Sequence, residues 1–499
     1  MDERMHLDAN PNRAMNRQAA TSNHSRIETN RAVFYGVIIG LGAILTGLLL
    51  AFGGPVAAAA AVAAFFAAAI VLRNIEVGFW GIIAVVCLLP FATIPVDIGL
   101  TPTLLDIALG VTVGIWLFRM ATSPQYRMVS SPITVPIVIF LIAIIFSFIF
   151  GLANGPLTSN LLRHFAELLI SIGFVIVVVD FFSIWERIER ISRVLMVAGA
   201  AAAILAIFLW LLPDFTANDM LNVLQRVGYP GGFVIRYIEE NPELSERAIG
   251  TSVDPNALGG MLLLIGALAT PQLVAKRPLF PRWLSALIVG VIVIAIVLTF
   301  SRGAMVGLVS AWIFIVIARY RRLIPYMVVA GLLLLLLPVA QDYLLRFVEG
   351  FAGQDLATQM RFGEYQDALE LIGRYPVFGV GFAGSPDIDL YLGVASVYLT
   401  IGQQMGIFGL FAFAAVILTA FGYAYLNRAV LSEDHERHPL WLGLYAALVG
   451  GLVTGIFDHY LFNIDFHHAV TLFWLILGLA VATTRNGVTG NALPIGQRA

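Results

Sequence analysis

Three arginines in this sequence stand at the entry to an apolar run, in the turn between two such runs, and at the head of an amphipathic stretch. Arg247 precedes Gly250, Thr251, Asp254, Pro255 and Asn256, and the stretch leads directly into an apolar run. Gly250 and Pro255 shape a turn, and Asn256 can cap the helix that follows. Arg302 lies in the Ser301-Arg302-Gly303 turn between two apolar runs, where Gly303 lets a backbone or ligand approach closely. Arg361 opens a stretch ending at Pro376. There Phe362, Tyr365, Leu369 and Ile372 recur at three- and four-residue spacing, which predicts an amphipathic helix over 361–373 with Arg361, Glu364 and Asp367 on one side. Guanidinium groups are always charged and grip phosphate or carboxylate oxygens at two points. A neighbouring carboxylate can accept a proton. Each arginine also has a plainer explanation: a capped helix start with a solvated Arg247, an Arg302 snorkelling at a helix end, and an interfacial helix lying flat on a membrane.

Other residues carry weaker signals. The Gly379-Val380-Gly381 stretch, with Gly384, predicts a flexible loop and not a dinucleotide fingerprint, since no strand precedes it. The stretch from Tyr398 through Gln404, Gly406 and Gly409 by itself predicts only a glycine-containing membrane helix. His459, His467 and His468 fall near Asp458 and Asp465 at the expected outer ends of the last two spans. Interfacial polar ends explain them more simply than a metal. Asp106 and Glu167 also fall near outer ends, and acids at membrane depth are functional suspects, although both lie near enough to the interface to be solvated. The sole cysteine, Cys87, is in an apolar run, which excludes an intrachain disulfide. No metal and no cofactor are expected.

The elements that must position these residues follow from composition. Of 499 residues, 59% are hydrophobic and 12% charged, with mean hydropathy +0.88. Soluble chains carry about 25% charged residues. A net charge of −2 argues against a nucleic-acid partner. Apolar runs of about twenty residues recur, and in hydrocarbon such runs must be helices. The expectation is an all-α polytopic transmembrane bundle of about fourteen spans. They are placed near 33–53, 55–72, 77–96, 103–119, 133–152, 165–182 and 194–213 in the first half. The rest are near 256–275, 283–300, 303–318, 323–341, 395–426, 440–457 and 466–484. Residues 1–32 are polar and predict a disordered cytoplasmic tail without a signal peptide. The expected organisation continues with transmembrane helices over 33–213, an extracytoplasmic loop at 214–255, and helices with the Ser-Arg-Gly turn over 256–341. A large external loop at 342–394 carries the short amphipathic helix, followed by C-terminal helices at 395–484 and a cytoplasmic tail at 485–499.

Charge asymmetry orients this arrangement. With the N-terminus in the cytoplasm, the outside keeps eight of the 29 basic residues: Arg163, Arg226, Arg236, Arg247, Arg302, Arg346, Arg361 and Arg374. All but Arg163 fall in the two long loops or the Ser-Arg-Gly turn. Arginines kept where the bias disfavours them suggest anion binding.

In this order, the pieces resemble the O-antigen ligase and polymerase superfamily. The matches are Arg247 with Gly250-Thr251 and Pro255-Asn256, then Ser301-Arg302-Gly303, then Arg361, Pro376 and Gly379-Val380-Gly381, then Ala395-Ser396 with Gly406 and Gly409. The resemblance covers about 245–480. It implies a plasma (inner) membrane glycosyltransferase with both termini cytoplasmic, using an undecaprenyl-diphosphate-linked oligosaccharide as donor and a glycan or lipid as acceptor. The implied residues are Arg247, Arg302 and Arg361 on the diphosphate, Glu364 or Asp367 for the acceptor proton, and Asn256, Ser301, Arg374, Ser396 and Tyr398 in substrate binding. Membrane lipids and a glycan-export machinery are the implied partners. The family's histidine in the last motif is Ala395 here, which leaves polymerase and ligase open and tilts toward polymerase. A lipid-glycan flippase or transporter, or a non-catalytic family member in a glycan-export complex, are the alternatives.

Overall fold

The computed structural model describes residues 69–93, 101–124, 126–334, 341, 356–385, 393–434 and 436–492. The tail 1–32, the first expected span, most of the second, and Arg346 lie outside the described residues. The described residues are mostly helical (75%) with few strands, and those from Val71 onward form one compact unit.

Helix α1 (Ile75–Leu88) starts where the Asn74 side chain accepts from the Glu76 amide at 3.1 Å. It ends just before Leu89-Pro90, because proline excludes its predecessor from helical geometry. Helix α2 (Leu104–Thr122) opens with a reciprocal capping box between Thr103 and Asp106. Helices α3 (Thr134–Gly151), α4 (Ser159–Phe181) and α5 (Trp185–Trp210) complete the N-terminal half. The expected loop at 214–255 contains α6 (Asp214–Asn222) and a two-residue antiparallel ladder of β1 (Arg236–Tyr237) with β2 (Glu246–Arg247). Then follow α7 (Pro255–Ala269), α8 (Arg282–Leu298), α9 (Arg302–Ala318) and α10 (Ile324–Leu334). The last group is α11 (Leu356–Arg374), α12 (Val397–Leu426), α13 (Arg428–Glu433), α14 (His438–Thr454) and α15 (His467–Ala492).

Among the described residues, seven helices are long and apolar enough to cross a membrane, or eight if the sharply bent pair of α9 and α10 counts as one span. Helices α1, α8 and α14 coincide with expected spans but have 14, 17 and 17 residues, short of the about twenty that a bilayer core asks for. Two ends differ from the hydropathy-based expectation because protein, not lipid, surrounds them. Helix α5 begins at Trp185, ahead of the expected 194, since Arg190 pairs with Glu76 (Nε–Oε1 2.6 Å) and Arg187 donates to the Phe181 carbonyl at 3.0 Å. Helix α15 runs past the expected end at 484 to Ala492, where Asn486 donates to the Phe182 carbonyl at 3.1 Å.

Helix α15 is buried at every residue from His467 to Thr484, and α7 is nearly so along its length, which makes them the middle of the bundle. Helices α9 and α14 cross at glycines. A Cβ on Gly307 would come 2.7 Å from the Gly450 carbonyl, and one on Gly450 would come 2.8 Å from that of Gly307. Small residues at such crossings let membrane helices approach to backbone contact. This crossing holds the start of α9, with Arg302, against the end of α14.

Candidate active site

Arg247 closes the two-residue ladder and folds back over the turn that joins α8 to α9. The Ala248 amide donates to the Leu298 carbonyl at 2.8 Å. The Arg247 guanidinium donates from Nε to the Thr299 carbonyl at 2.8 Å and from Nη2 to Asn256 Oδ1 at 2.7 Å. Asn256 thus aims Arg247, while the capping role falls to Asp254, whose Oδ1 accepts from the Ala257 amide at 2.7 Å. Burial draws the Arg247 guanidinium below its usual value; the Asp254 and Asp458 carboxylates pull it back up, and Arg361 adds to the lowering. A guanidinium stripped of water in this way gains from an incoming anion.

That same turn between α8 and α9 carries Ser301 and leads into Arg302. Ser301 is buried and caps α9, its Oγ accepting from the Ala304 amide at 3.4 Å, and its own amide donates to Thr299 Oγ1 at 3.2 Å. Its hydroxyl therefore serves the helix start that presents Arg302 at the first helical position. Backbone strain gathers in these two turns: Val253 at φ +58° and Phe300 at φ +51° are both left-handed without being glycine. Each costs about 1–3 kcal/mol, a pattern common where a site overrides local preference.

Helix α11 corrects the expected amphipathic face. Phe362 and Leu369, expected on the apolar side, are exposed, whereas Ala368 and Leu371 are fully buried and Arg361, Glu364, Tyr365 and Asp367 half-buried. The inward stripe is 361, 364, 365, 368 and 371, so Arg361 and Glu364 face the protein with Tyr365, Ala368 and Leu371, while Phe362 and Leu369 face out. Tertiary partners reverse the face: Glu364 Oε2 accepts from the Ala395 amide at 3.1 Å, and the Tyr365 hydroxyl donates to the Ala395 carbonyl at 3.1 Å. Ala395 is thus the docking point of α11 through its backbone. Ser396, the next residue, is buried, its Oγ 3.4 Å from the Gly455 carbonyl, and the Tyr398 hydroxyl donates to the Leu452 carbonyl at 2.7 Å. Both fasten the start of α12 to the end of α14. Arg374 is half-exposed and pairs with Glu370 one turn earlier.

The glycine motif has a structural explanation. Helix α12 breaks at Gly406 (φ +65°, ψ −166°), which frees backbone groups inside the bundle. The segment after α11 takes them up: the Val380 amide donates to the Gln403 carbonyl and that of Gly381 to the Gln404 carbonyl, both at 2.9 Å. The Ile407 amide donates to the Pro376 carbonyl at 2.7 Å. Gly379 and Gly381 are both left-handed, and a Cβ on either would enter neighbouring backbone. The predicted flexible loop is a fixed splice that positions the end of α11.

Sequence reasoning missed Asp458 and Tyr365 as members of this site. Asp458 lies after α14, buried; burial pushes its carboxyl up, His459 draws it down, Asp254 pushes it up and Arg361 draws it down. Its carbonyl also accepts from the Val397 amide at 3.1 Å. Arg247, Arg361, Asp254 and Asp458 therefore share one electrostatic neighbourhood beside the Ser301-Arg302 turn. Only an acid at a span end marked Asp458 in the sequence.

At the ladder, Glu246 is pushed up to about 7, by burial first and by the Asp214 carboxylate second. Its ordinary value is 4.5, so the folded state holds this proton more tightly. Its contribution to stability is full below pH 4.5 and is lost as pH rises through about 7. Glu246→Gln should therefore melt above the wild type at pH 8, with the gap shrinking toward pH 5 in detergent-solubilised protein. A gap independent of pH would overturn this account.

Comparison with known proteins bears on this site directly. No curated protein matches the chain. Residues 283–414, which hold Ser301, Arg302, Arg361, Glu364, Asp367, Arg374, Ser396 and Tyr398, match the family model described as O-antigen ligase; Arg247 and Asn256 precede the match. This match supports the resemblance of residues 283–414 to the O-antigen ligase and polymerase superfamily, and the several long apolar helices are those of a multi-pass membrane protein.

Proposed function

We propose that the protein transfers a glycan from an undecaprenyl-diphosphate donor to a glycan or lipid acceptor at the extracytoplasmic face of the plasma membrane. One observation carries this reading. Arg247 and Arg361, from distant parts of the chain, act on one another and on a buried carboxylate, beside the turn that presents Arg302. In the reaction, the acceptor hydroxyl oxygen bonds to the anomeric carbon while that carbon's bond to the diphosphate oxygen breaks. The lipid diphosphate leaves with the electron pair, and charge grows on its oxygens. Fixed guanidinium groups at a partly dry site stabilise that charge without reorganising. Arg247, Arg302 and Arg361 take the diphosphate, with Arg374 in reserve at the rim. The acceptor's proton goes to a carboxylate. Glu364 and Asp367 are the candidates on α11; Asp458 joins them as a buried carboxylate in the same electrostatic neighbourhood as Arg247 and Arg361. Asn256 and Ser301 support the site by aiming Arg247 and capping α9. Ala395 cannot supply the imidazole of the ligase motif, which favours a polymerase.

Arg302→Ala in the native host should abolish long polymer and leave single lipid-linked repeats to accumulate, with the chain inserted at wild-type level. Accumulation of finished polymer on its lipid carrier would instead mark a ligase. Wild-type surface glycan from this variant would remove Arg302 from the mechanism.

The break in α12 favours one second reading, since interrupted helices are also a transporter device. Here the freed carbonyls of Gln403 and Gln404 are taken by backbone amides, which argues against their holding an ion. Turnover of lipid-linked glycan by purified protein would exclude both a flippase and a non-catalytic scaffold.

A further inference from the structure

Apart from the arginine site, three helix ends bring together a second cluster. Asp106 stands in the first turn of α2, Glu167 in the third turn of α4, and His467 at the start of α15. Each offers a ligand atom, and the three atoms lie within 4.8 Å of one another. His467 Nδ1 is 3.4 Å from Asp106 Oδ1 and 4.0 Å from Glu167 Oε2. With metal–ligand bonds of about 2.0–2.1 Å, the edge of a tetrahedral site is about 3.3 Å, so the first of these separations already fits.

A second, independent observation is the state of the polar atoms. Glu167 is 4% exposed and His467 8%. Glu167 Oε1 and both ring nitrogens of His467 are buried without a hydrogen-bond partner. Most buried polar atoms are satisfied, and each one left unmade costs about 1–3 kcal/mol. Three such atoms in one pocket, two of them on an imidazole between carboxylates, are better matched to an ion than to an apolar core.

The surroundings orient the donors as a metal site requires. Asp106 Oδ2 accepts from the Thr103 amide at 2.8 Å, leaving Oδ1 toward His467. Glu167 Oε2 is 3.0 Å from His164 Nδ1, and Oε1 is left over. The His164 ring is one group paired with Glu167; among the described residues, Arg163 is the permanently charged partner, with Nε 3.6 Å from Glu167 Oε1. Its other nitrogens are turned to the Thr101 carbonyl at 2.6 Å and Asn160 Oδ1 at 3.2 Å. One guanidinium does not balance two carboxylates.

We propose that Asp106, Glu167 and His467 form a site for a divalent transition-metal ion, with zinc the best match to one imidazole and two carboxylates. Magnesium and calcium prefer all-oxygen shells. The ion would tie α2, α4 and α15 together, and α15 begins nine residues after Asp458. His459 and His468 lie outside the ligand set: His459 Nδ1 meets Asn463 Nδ2 at 3.0 Å, and the His468 ring packs edge-on to Phe91.

The test uses the full chain, purified in detergent without a polyhistidine tag, stripped with EDTA and dialysed against micromolar zinc sulfate. Elemental analysis should find one zinc per chain, and zinc should raise the melting temperature where millimolar magnesium does not. His467→Gln and Glu167→Gln should each lower the bound zinc at least tenfold, while His459→Gln retains it. Wild-type protein that binds no zinc would overturn the proposal, whatever the variants do. So would wild-type stoichiometry in folded His467→Gln.

Discussion

Arg361→Ala is expected to lower glycan transfer by about 100-fold or more, the scale seen when one preorganised donor to a developing anion is removed, while the chain reaches the membrane at wild-type level. Arg361 is half-buried on the inward stripe of α11 and acts on Arg247, Asp458 and Tyr365. Arg361→Lys should recover only part of the activity, because an ammonium is a point charge and cannot fork across two phosphate oxygens. Arg374→Ala is the informative control. Its guanidinium is about half-exposed and pairs with Glu370 on the same helix, so its loss should cost far less than that of Arg361. Transfer assays on membranes with matched protein content decide this. Equal activity in Arg361→Ala and wild type would remove the arginine from the site; equal loss in both alanine variants would make the whole helix, and not Arg361, the requirement.

The largest structural effect is expected at Gly381. Its φ of +79° is the left-handed region that favours glycine, and a Cβ there would press into the Gly151 backbone and come 2.8 Å from the Ser147 carbonyl. Strain of about 1–3 kcal/mol and overpacking of about 1–3 kcal/mol both fall on this one methyl. Stabilities are only about 5–15 kcal/mol, so Gly381→Ala should melt far below the wild type and lose activity with it. Gly363 and Gly373 on α11 meet nothing within 4 Å. Alanine at either should be neutral or stabilising, since it restricts the unfolded chain and suits a helix. Similar melting temperatures for Gly381→Ala and Gly363→Ala would refute the splice.

The positions of the helices were legible in the sequence wherever lipid-length apolar runs carried them, as in α3 and α12. Helix ends were less so, since hydropathy assumes lipid outside a span: Arg190 and Asn486 continue their helices because Glu76 and the Phe182 carbonyl receive them. Arg247, Arg302 and Arg361 stood out by type and place. Their surroundings did not, because Asp458 acts on Arg361 from 97 residues further along the chain. The glycines were visible as glycines, but what they meet at Gly151 and Gln404 is a long-range backbone contact without a local signature. Periodicity gave helix α11 but not which side faces inward, because the pattern weighs hydrophobicity alone and Glu364 and Tyr365 are drawn in by the Ala395 backbone.

The outward side of α11 bears on how a substrate arrives. Phe362 and Leu369 present oily groups on the same short helix whose other side carries Arg361. A polyprenyl chain could lie along that oily side while its head group reaches the guanidinium, so a donor need never leave the bilayer to be captured. Encounter would then be a search in two dimensions, governed by the number of carriers per unit area of membrane and by their lateral diffusion. Changes at Phe362 or Leu369 would act on capture and leave the bond-breaking step alone.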